Sequence, residues 1–300
     1  MDRRQFLGAS AVLWQRPQRP NIVLYMPERQ PVPELSGAVR FPRFYSAHPD
    51  PAPARAAVLT GRFPHACGVT REGQVLTSSE RMISGVLRES GYRSTLAGAW
   101  PAAEAIREIP ASLDPAPFLL AVAIEDSLGV VLRALDRAGA VENTLVISTT
   151  ALGTRVPLRM RYPRLLKGDQ TNETLLSGVD LMPTLLGLCG ANVPVDVHGH
   201  DLSGALFHGG GESTSSVFSY GRLGTPEEWR MIVRGYDKLI VNRAGQATHL
   251  YNLAEDPEEA RNLVSEPGHT LRIDELRAQL ASWRRRIGDG MNESGLKKRD

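Results

Sequence analysis

Residues 21–26, Asn21-Ile22-Val23-Leu24-Tyr25-Met26, form a β-favouring, mostly apolar run set between Pro20 and Pro27. A strand with one wet face would alternate apolar and polar positions, so a continuous run predicts a strand covered on both faces. Residues 94–98, 118–124 and 144–149 repeat the pattern and predict further strands. Helical periods separate them. Residues 53–61 read as a helix that starts with Pro53 in a first-turn position, where no N–H is needed, and stops at Gly61. Residues 79–89 carry Met82, Val86 and Leu87 at helical spacing before Gly91, and residues 128–138 place Leu128, Val131, Leu132 and Leu135 on one stripe. Strands and helices in alternation imply a mostly parallel sheet with helices on both faces. After an apolar helix at 179–188 the rhythm changes. Short strands at 215–220, 230–234, 238–242 and 248–251 are joined by turns, and 271–287 is a long amphipathic helix.

The expected fold class is therefore α/β, with a mostly parallel central sheet and a small C-terminal antiparallel sheet and helix. Residues 19–208 form the α/β domain, and a soft boundary falls at Gly209-Gly210-Gly211. Residues 209–290 form an α+β subdomain, 291–300 are a polar tail, and no internal repeat is evident.

Composition narrows the class. The chain has 300 residues, 42% hydrophobic and 23% charged, enough for one large core or two and unlike a disordered, collagenous or coiled-coil sequence. Thirty-five basic against 33 acidic residues give a net charge of +2, too balanced to point to nucleic acid as a partner. The longest apolar run, 115–124, stops at Glu125 and falls short of the roughly 20 residues a transmembrane helix needs. Cys67 and Cys189 lie far apart and outside any Cys-x-x-Cys spacing, so neither a disulfide framework nor a zinc site is expected. At the N-terminus, Arg3-Arg4 stands before the apolar stretch 6–14, as in the charged and apolar regions of an export peptide. Residues 1–18 are similar to a twin-arginine signal or its remnant, without an Ala-x-Ala cleavage site. They imply a periplasmic or exported protein where the signal works and a cytoplasmic one otherwise.

Several segments, in order, carry a resemblance. Arg19-Pro20-Asn21-Ile22-Val23-Leu24 is followed by Ala52-Pro53-Ala54-Arg55 and Leu59-Thr60-Gly61-Arg62-Phe63-Pro64-His65. Then come Gly91-Tyr92-Arg93-Ser94-Thr95-Leu96-Ala97-Gly98 with Trp100, Asn143-Thr144-Leu145-Val146-Ile147, and Val179-Asp180-Leu181-Met182-Pro183-Thr184. Leu250-Tyr251-Asn252-Leu253 and Asp256-Pro257-Glu258-Glu259 close the series. Together they resemble a sulfatase of the alkaline phosphatase superfamily over residues 19–287, which implies that family's fold and, at family level, sulfuric ester hydrolysis.

At the positions that do chemistry the resemblance fails. Such sulfatases convert the Cys or Ser of Cys/Ser-x-Pro-x-Arg to a formylglycine nucleophile, and here that stretch reads Pro51-Ala52-Pro53-Ala54-Arg55. Proline offers no side-chain oxygen or sulfur to oxidise or to attack with. The family's calcium takes an Asp-Asp pair and an Asp-Asn pair, because a hard cation wants several oxygen ligands. The matching positions are Glu28-Arg29 and Ala151-Leu152, so the metal and the formylglycine cofactor are both expected to be absent. Gly-Lys-Trp-His becomes Gly98-Ala99-Trp100-Pro101, which removes a charge stabiliser and a proton donor, and the loops at 102–117 and 154–156 are shorter than the family's. Cys67 lies beyond the helix and reads as a small buried residue.

Arg55 survives beside the first-turn N–H groups of a helix, a combination able to take an anion, and it is the anion-binding candidate. The alternative for Arg55 is a scaffold role, paired with an acidic neighbour. His48 and Glu28 are the pocket candidates. His198 and His200 have a two-residue spacing that could suggest a metal, but they fall where the resemblance places a loop before Asp201-Leu202 and read as loop residues. The expected protein is a sulfatase-like chain without catalysis, whose partner would be a sulfated or otherwise anionic small molecule or glycan. A degraded sulfate or phosphate ester hydrolase and a decayed product without a molecular role remain open at this level.

Overall fold

The computed structural model describes residues 19–28, 31–108, 113, 117–211 and 213–289. The export-type segment at 1–18, Arg29 and the polar tail at 291–300 lie outside the described residues.

Strand β1 (Asn21–Tyr25) divides its side chains between two cores, Ile22 and Leu24 on one side and Val23 and Tyr25 on the other. That is why its sequence shows no alternation. β1 is flanked in parallel by β5 (Phe118–Ala123) and β6 (Thr144–Ser148), and β5 is followed by a parallel β4 (Arg93–Gly98). Beyond β6, β7 (Leu158–Arg161) and β2 (Val39–Phe41) are antiparallel additions, giving the order β2-β7-β6-β1-β5-β4. Helices α1 (Pro51–Thr60), α3 (Ile83–Glu89), α5 (Leu181–Leu188) and α6 (Ser203–Phe207) cover the Ile22 face. Helix α4 (Leu128–Arg137) covers the opposite face with Leu128, Val131 and Leu135. A pair of short strands, β3 (Phe44–Tyr45) and β8 (Leu176–Ser177), and the one-turn α2 (Pro64–Cys67) complete the body.

The second sheet runs β12-β11-β10-β9, antiparallel throughout, from β9 (Ser216–Gly221), β10 (Trp229–Arg234), β11 (Asp237–Asn242) and β12 (Ala247–Asn252). Helix α7 (Thr270–Arg286) lays Leu276, Leu280 and Trp283 on Phe218, Ile232 and Leu239. Trp283 stacks on Phe218 with ring centres 4.4 Å apart and meets Phe63 of the body edge-on at 4.9 Å, so one core joins sheet, helix and body. His65 reinforces the seam. Its backbone N–H donates to the Tyr220 hydroxyl at 2.8 Å, and its Nε2 lies 3.0 Å from the Ile287 carbonyl that ends α7.

Two expected helices begin later than their periodicity implies. The helix expected over 79–89 starts at Ile83, and Glu80 lies ahead of it in an ion pair of 2.8 Å with Arg62. The one expected over 179–188 opens as a 3₁₀ turn, Gly178–Asp180, in which the Asp180 carboxylate accepts the Ser177 N–H at 2.8 Å. Cys67 and Cys189 are both buried free thiols. Among the described residues, no helix is long and apolar enough to cross a membrane.

Candidate functional site

The carboxyl ends of β1, β4, β5 and β6 converge on the N-terminus of α1, the place where an open α/β sheet ordinarily presents a ligand site. Hydrogen bonds tie the ends of β1, β5 and β6 together. The Ala151 N–H donates to the Pro27 carbonyl at 2.9 Å, the Thr150 hydroxyl donates to the Glu28 carbonyl at 2.9 Å, and the Glu28 N–H donates to Glu125 Oε1 at 2.8 Å. At Gly98 φ is +93°, and an added Cβ would sit 2.4 Å from the Ala123 carbonyl oxygen, so only glycine lets β4 turn this closely over β5.

Pro51 is the first residue of α1 and is buried, as is every other residue of that helix. Asp50, at the N-cap, makes no side-chain cap bond. Glu72 does the capping instead: its Oε1 accepts the Ala52 N–H at 2.7 Å. A carboxylate at a helix N-terminus meets both an orphan donor and the positive end of the helix dipole. The Ala52 N–H is therefore already occupied by an anionic group of the chain itself, where the sequence led us to expect a free one.

Arg55 is 3% exposed. Its Nε and Nη2 donate to the Met26 carbonyl at 3.3 and 3.2 Å, and its Nη1 donates to the Ala99 carbonyl at 3.0 Å. The guanidinium thereby clamps the end of β1 to the end of β4. Burial pulls its pKa down, and the charges of Glu28, Glu72 and Glu125 oppose that pull. Glu28 itself is exposed. His48 is 1% exposed; its Nδ1 accepts the Asp50 N–H at 3.1 Å, which places the proton of the neutral ring on Nε2, a buried atom with no hydrogen-bond partner.

Ala151 is fully buried and Leu152 is exposed, and neither side chain carries an oxygen donor. A calcium ion of the kind the resemblance implies does not fit this donor set, since Glu28 alone contributes a carboxylate among these described positions. Among the described residues no group of three or more His, Cys, Asp or Glu side chains could hold a metal. His198 and His200 are not brought together on an ion: His198 Nδ1 accepts the Phe63 N–H at 3.0 Å, and His200 lies against Asp180. Ala99 and Pro101 contribute through their backbones, their carbonyls accepting from Arg55 and from the Leu76 N–H. The strand-end site so built holds a cation fixed to carbonyls and a capped helix.

Glu72 and Glu125 are the residues that sequence reasoning missed here. Each acts on a partner far along the chain, Ala52 and Glu28, and no local motif marks either of them.

Comparison with known proteins follows the same lines. The sulfatase family model matches residues 12–108, and the model described as N-sulphoglucosamine sulphohydrolase, C-terminal, matches residues 151–286. An N-acetylglucosamine-6-O-sulfatase of Bacteroides thetaiotaomicron is 22% identical over 207 residues, 56% of this chain and 35% of that protein. Human N-acetylgalactosamine-6-sulfatase is 31% identical over 125 residues, 31% of this chain and 23% of that protein. The chain thus spans about a third or less of the length of these relatives. In three dimensions, BT4656 in complex with its substrate D-glucosamine-2-N,6-O-disulfate superposes with a TM-score of 0.78 at 14% identity, covering 93% of this chain and 100% of the other. BT1596, a 2-O GAG sulfatase, gives 0.77 at 18% identity, covering 91% and 93%. These two likenesses are of fold. The two family models, matching 12–108 and 151–286, place it: this chain belongs to the sulfatase family of the alkaline phosphatase superfamily.

Proposed function

We propose that this chain is a non-catalytic member of the sulfatase family. One observation carries the reading: the first turn of α1 presents Pro51 at the nucleophile position, and the neighbouring Ala52 N–H is capped by Glu72. Loss of a catalytic nucleophile alone costs on the order of a millionfold in turnover. Here the metal ligands, the Lys and the His of the family pattern are replaced with it, by Ala151, Leu152, Ala99 and Pro101. Neither calcium nor formylglycine belongs to this reading.

The ligand class that accompanies it is a sulfated sugar or a related small anion. The support is that relatives are named for sulfated amino sugars and that one structural neighbour holds a glucosamine disulfate. Arg3-Arg4 and the apolar stretch after it support export.

Restoring the nucleophile tests the reading. Pro51→Cys, produced together with the enzyme that oxidises cysteine to formylglycine, still presents Pro53 and Arg55 for recognition, and mass spectrometry shows how far the cysteine is converted. The oxidised variant is expected to leave an aryl sulfate intact, because catalytic groups act as a unit and an aldehyde hydrate without cation or proton donor lacks charge stabilisation. Turnover by the unmodified chain, abolished on mutating Arg55, would overturn the proposal.

A further inference from the structure

Three histidines meet where the body holds the C-terminal subdomain. His48 follows β3, His65 lies in α2 and His198 in the loop after α5, so all three belong to the body. Their rings gather on Phe63 and Tyr220. His198 stacks on Phe63 and on His65 with ring centres 5.7 and 6.3 Å apart, while His48 and His65 lie 5.8 and 5.7 Å from the Tyr220 ring. Tyr220 belongs to β9, and Phe63 carries Trp283 of α7.

The hydrogen bonds hold each ring neutral. His48 Nδ1 accepts the Asp50 N–H at 3.1 Å and His198 Nδ1 accepts the Phe63 N–H at 3.0 Å, and a backbone N–H can only donate. His65 Nε2 faces the Ile287 carbonyl at 3.0 Å, which can only accept, so this nitrogen keeps the proton and Nδ1 accepts the Tyr220 O–H at 2.9 Å. All three rings therefore spend the Nδ1 lone pair on a bond. A second proton on any of them breaks that bond, and the two ring bonds of His65 are the ones that cross from the body to β9 and to the end of α7.

The charged groups around the rings are committed elsewhere. Asp289, which follows α7, faces His65, but Arg230 holds its carboxylate at 2.5 and 2.8 Å and Arg284 lies 3.4 Å from it. Arg62, Asp196 and Arg286 face His198, and the Arg62 guanidinium already draws Glu80 to 2.8 Å and Asp196 to 3.6 Å. Beside His48 stands Asp50, 3.8 Å from Nδ1 on an exposed side chain. The other titratable neighbours, Tyr220 and Cys67, are kept uncharged by burial, which pushes both upward.

We propose that this seam is an acid-sensitive latch: protonation of His48, His65 and His198 releases the C-terminal sheet and α7 from the body while the central sheet stays folded. Opening brings water to the rings, where a histidine takes up a proton near pH 6.5. In the closed seam, burial pushes His48 and His198 down to about 4. The closed form therefore has its full advantage above pH 6.5 and loses it as pH falls towards 4. His48 and His198 together raise the opening constant on the order of a hundredfold between pH 7 and pH 5, with His198 discounted for its exposure. Strands β1, β4, β5 and β6 pair with one another and are covered by α3, α4 and α5, so their packing does not pass through the seam. The latch goes beyond the non-catalytic reading and does not rest on it.

Fluorine NMR of the full chain labelled with fluorotryptophan tests it. Trp283 reports on the seam, and Trp100, whose Nε1 donates to the Ala121 carbonyl, reports on the central sheet; Trp283→Phe and Trp100→Phe assign the two lines. Lowering the pH from 7 to 4 is expected to move the Trp283 line reversibly to a solvent-exposed position, in a transition steeper than one proton, while the Trp100 line stays native. His198→Asn keeps an acceptor for the Phe63 N–H and binds no proton, so it should lower the midpoint by about half a pH unit, and His48→Asn should do the same. A Trp283 line that stays native down to pH 4 would overturn the proposal. So would Trp283 and Trp100 lines that move together, as in unfolding of the whole chain, or a midpoint unchanged in both variants. The titration of the parent chain decides the matter even where a variant fails to fold.

Discussion

His48 shows how a residue in a catalytic-looking place can be structural. Its ring is buried, its Nδ1 holds the Asp50 N–H, and adding a proton would destroy that bond and place a charge away from water. Burial accordingly pushes its pKa down to about 4, although Asp50 Oδ2 at 3.8 Å pulls the other way. An unfolded histidine titrates near 6.5. Between those two values the unfolded chain binds a proton that the folded chain refuses. The contribution of His48 is therefore fully present above about pH 6.5 and is lost as pH falls towards 4, on the order of 1–2 kcal/mol by pH 5. His198, also pushed down to about 4 by burial, acts in the same sense but by less, being partly exposed and screened. Denaturant unfolding at pH 7 and pH 5 measures this. His48→Asn, which keeps an acceptor for the Asp50 N–H, should shrink the loss of stability between the two pH values, and an unchanged loss would show that His48 is not the group responsible.

Helix α1 depends on a residue that is not in it. With proline at its first and third positions and no cap bond from Asp50, its N-terminus relies on Glu72. Glu72→Ala leaves the Ala52 N–H without its acceptor and should cost about 1–2 kcal/mol of unfolding free energy. Glu72→Gln, which keeps an acceptor and loses the charge, should cost less. Equal midpoints for the parent and Glu72→Ala in urea would refute the cap. The same helix shows what was legible. Its presence and its stop could be read from Pro53 and Gly61, though it starts two residues earlier, at Pro51, just as β1, β5 and β6 could be read from apolar runs, because burial on both faces leaves a strong mark on composition. The two-residue strands β3 and β8 and the single turn of α2 left no such mark, since they exist only through partners distant in sequence. At the candidate site, the loss of chemical groups at Pro51, Ala99, Ala151 and Leu152 could be read directly, whereas the use made of Arg55 could not. A guanidinium bound to the Met26 and Ala99 carbonyls looks, in sequence, the same as one waiting for an anion.

At the scale of the whole molecule, the side chains that hold the fold are separate from the positions where the family pattern carries its chemistry. The central sheet is held by apolar side chains on both faces, and the C-terminal sheet by α7 and the Phe63–Trp283–Phe218 contact. None of those residues is a nucleophile, a metal ligand or a proton donor of the family pattern. Arg55 shows the same separation, serving as a clamp between strand ends. A scaffold of this kind stays folded without that chemistry, as the proposed non-catalytic role requires. The most direct measurement is turnover of an aryl sulfate by the purified full-length protein, followed with and without calcium beside a formylglycine-bearing sulfatase as a positive control. The expected result is a rate equal to that of the protein-free blank in both conditions. A saturable rate that co-purifies with the folded chain and exceeds the blank would contradict the account.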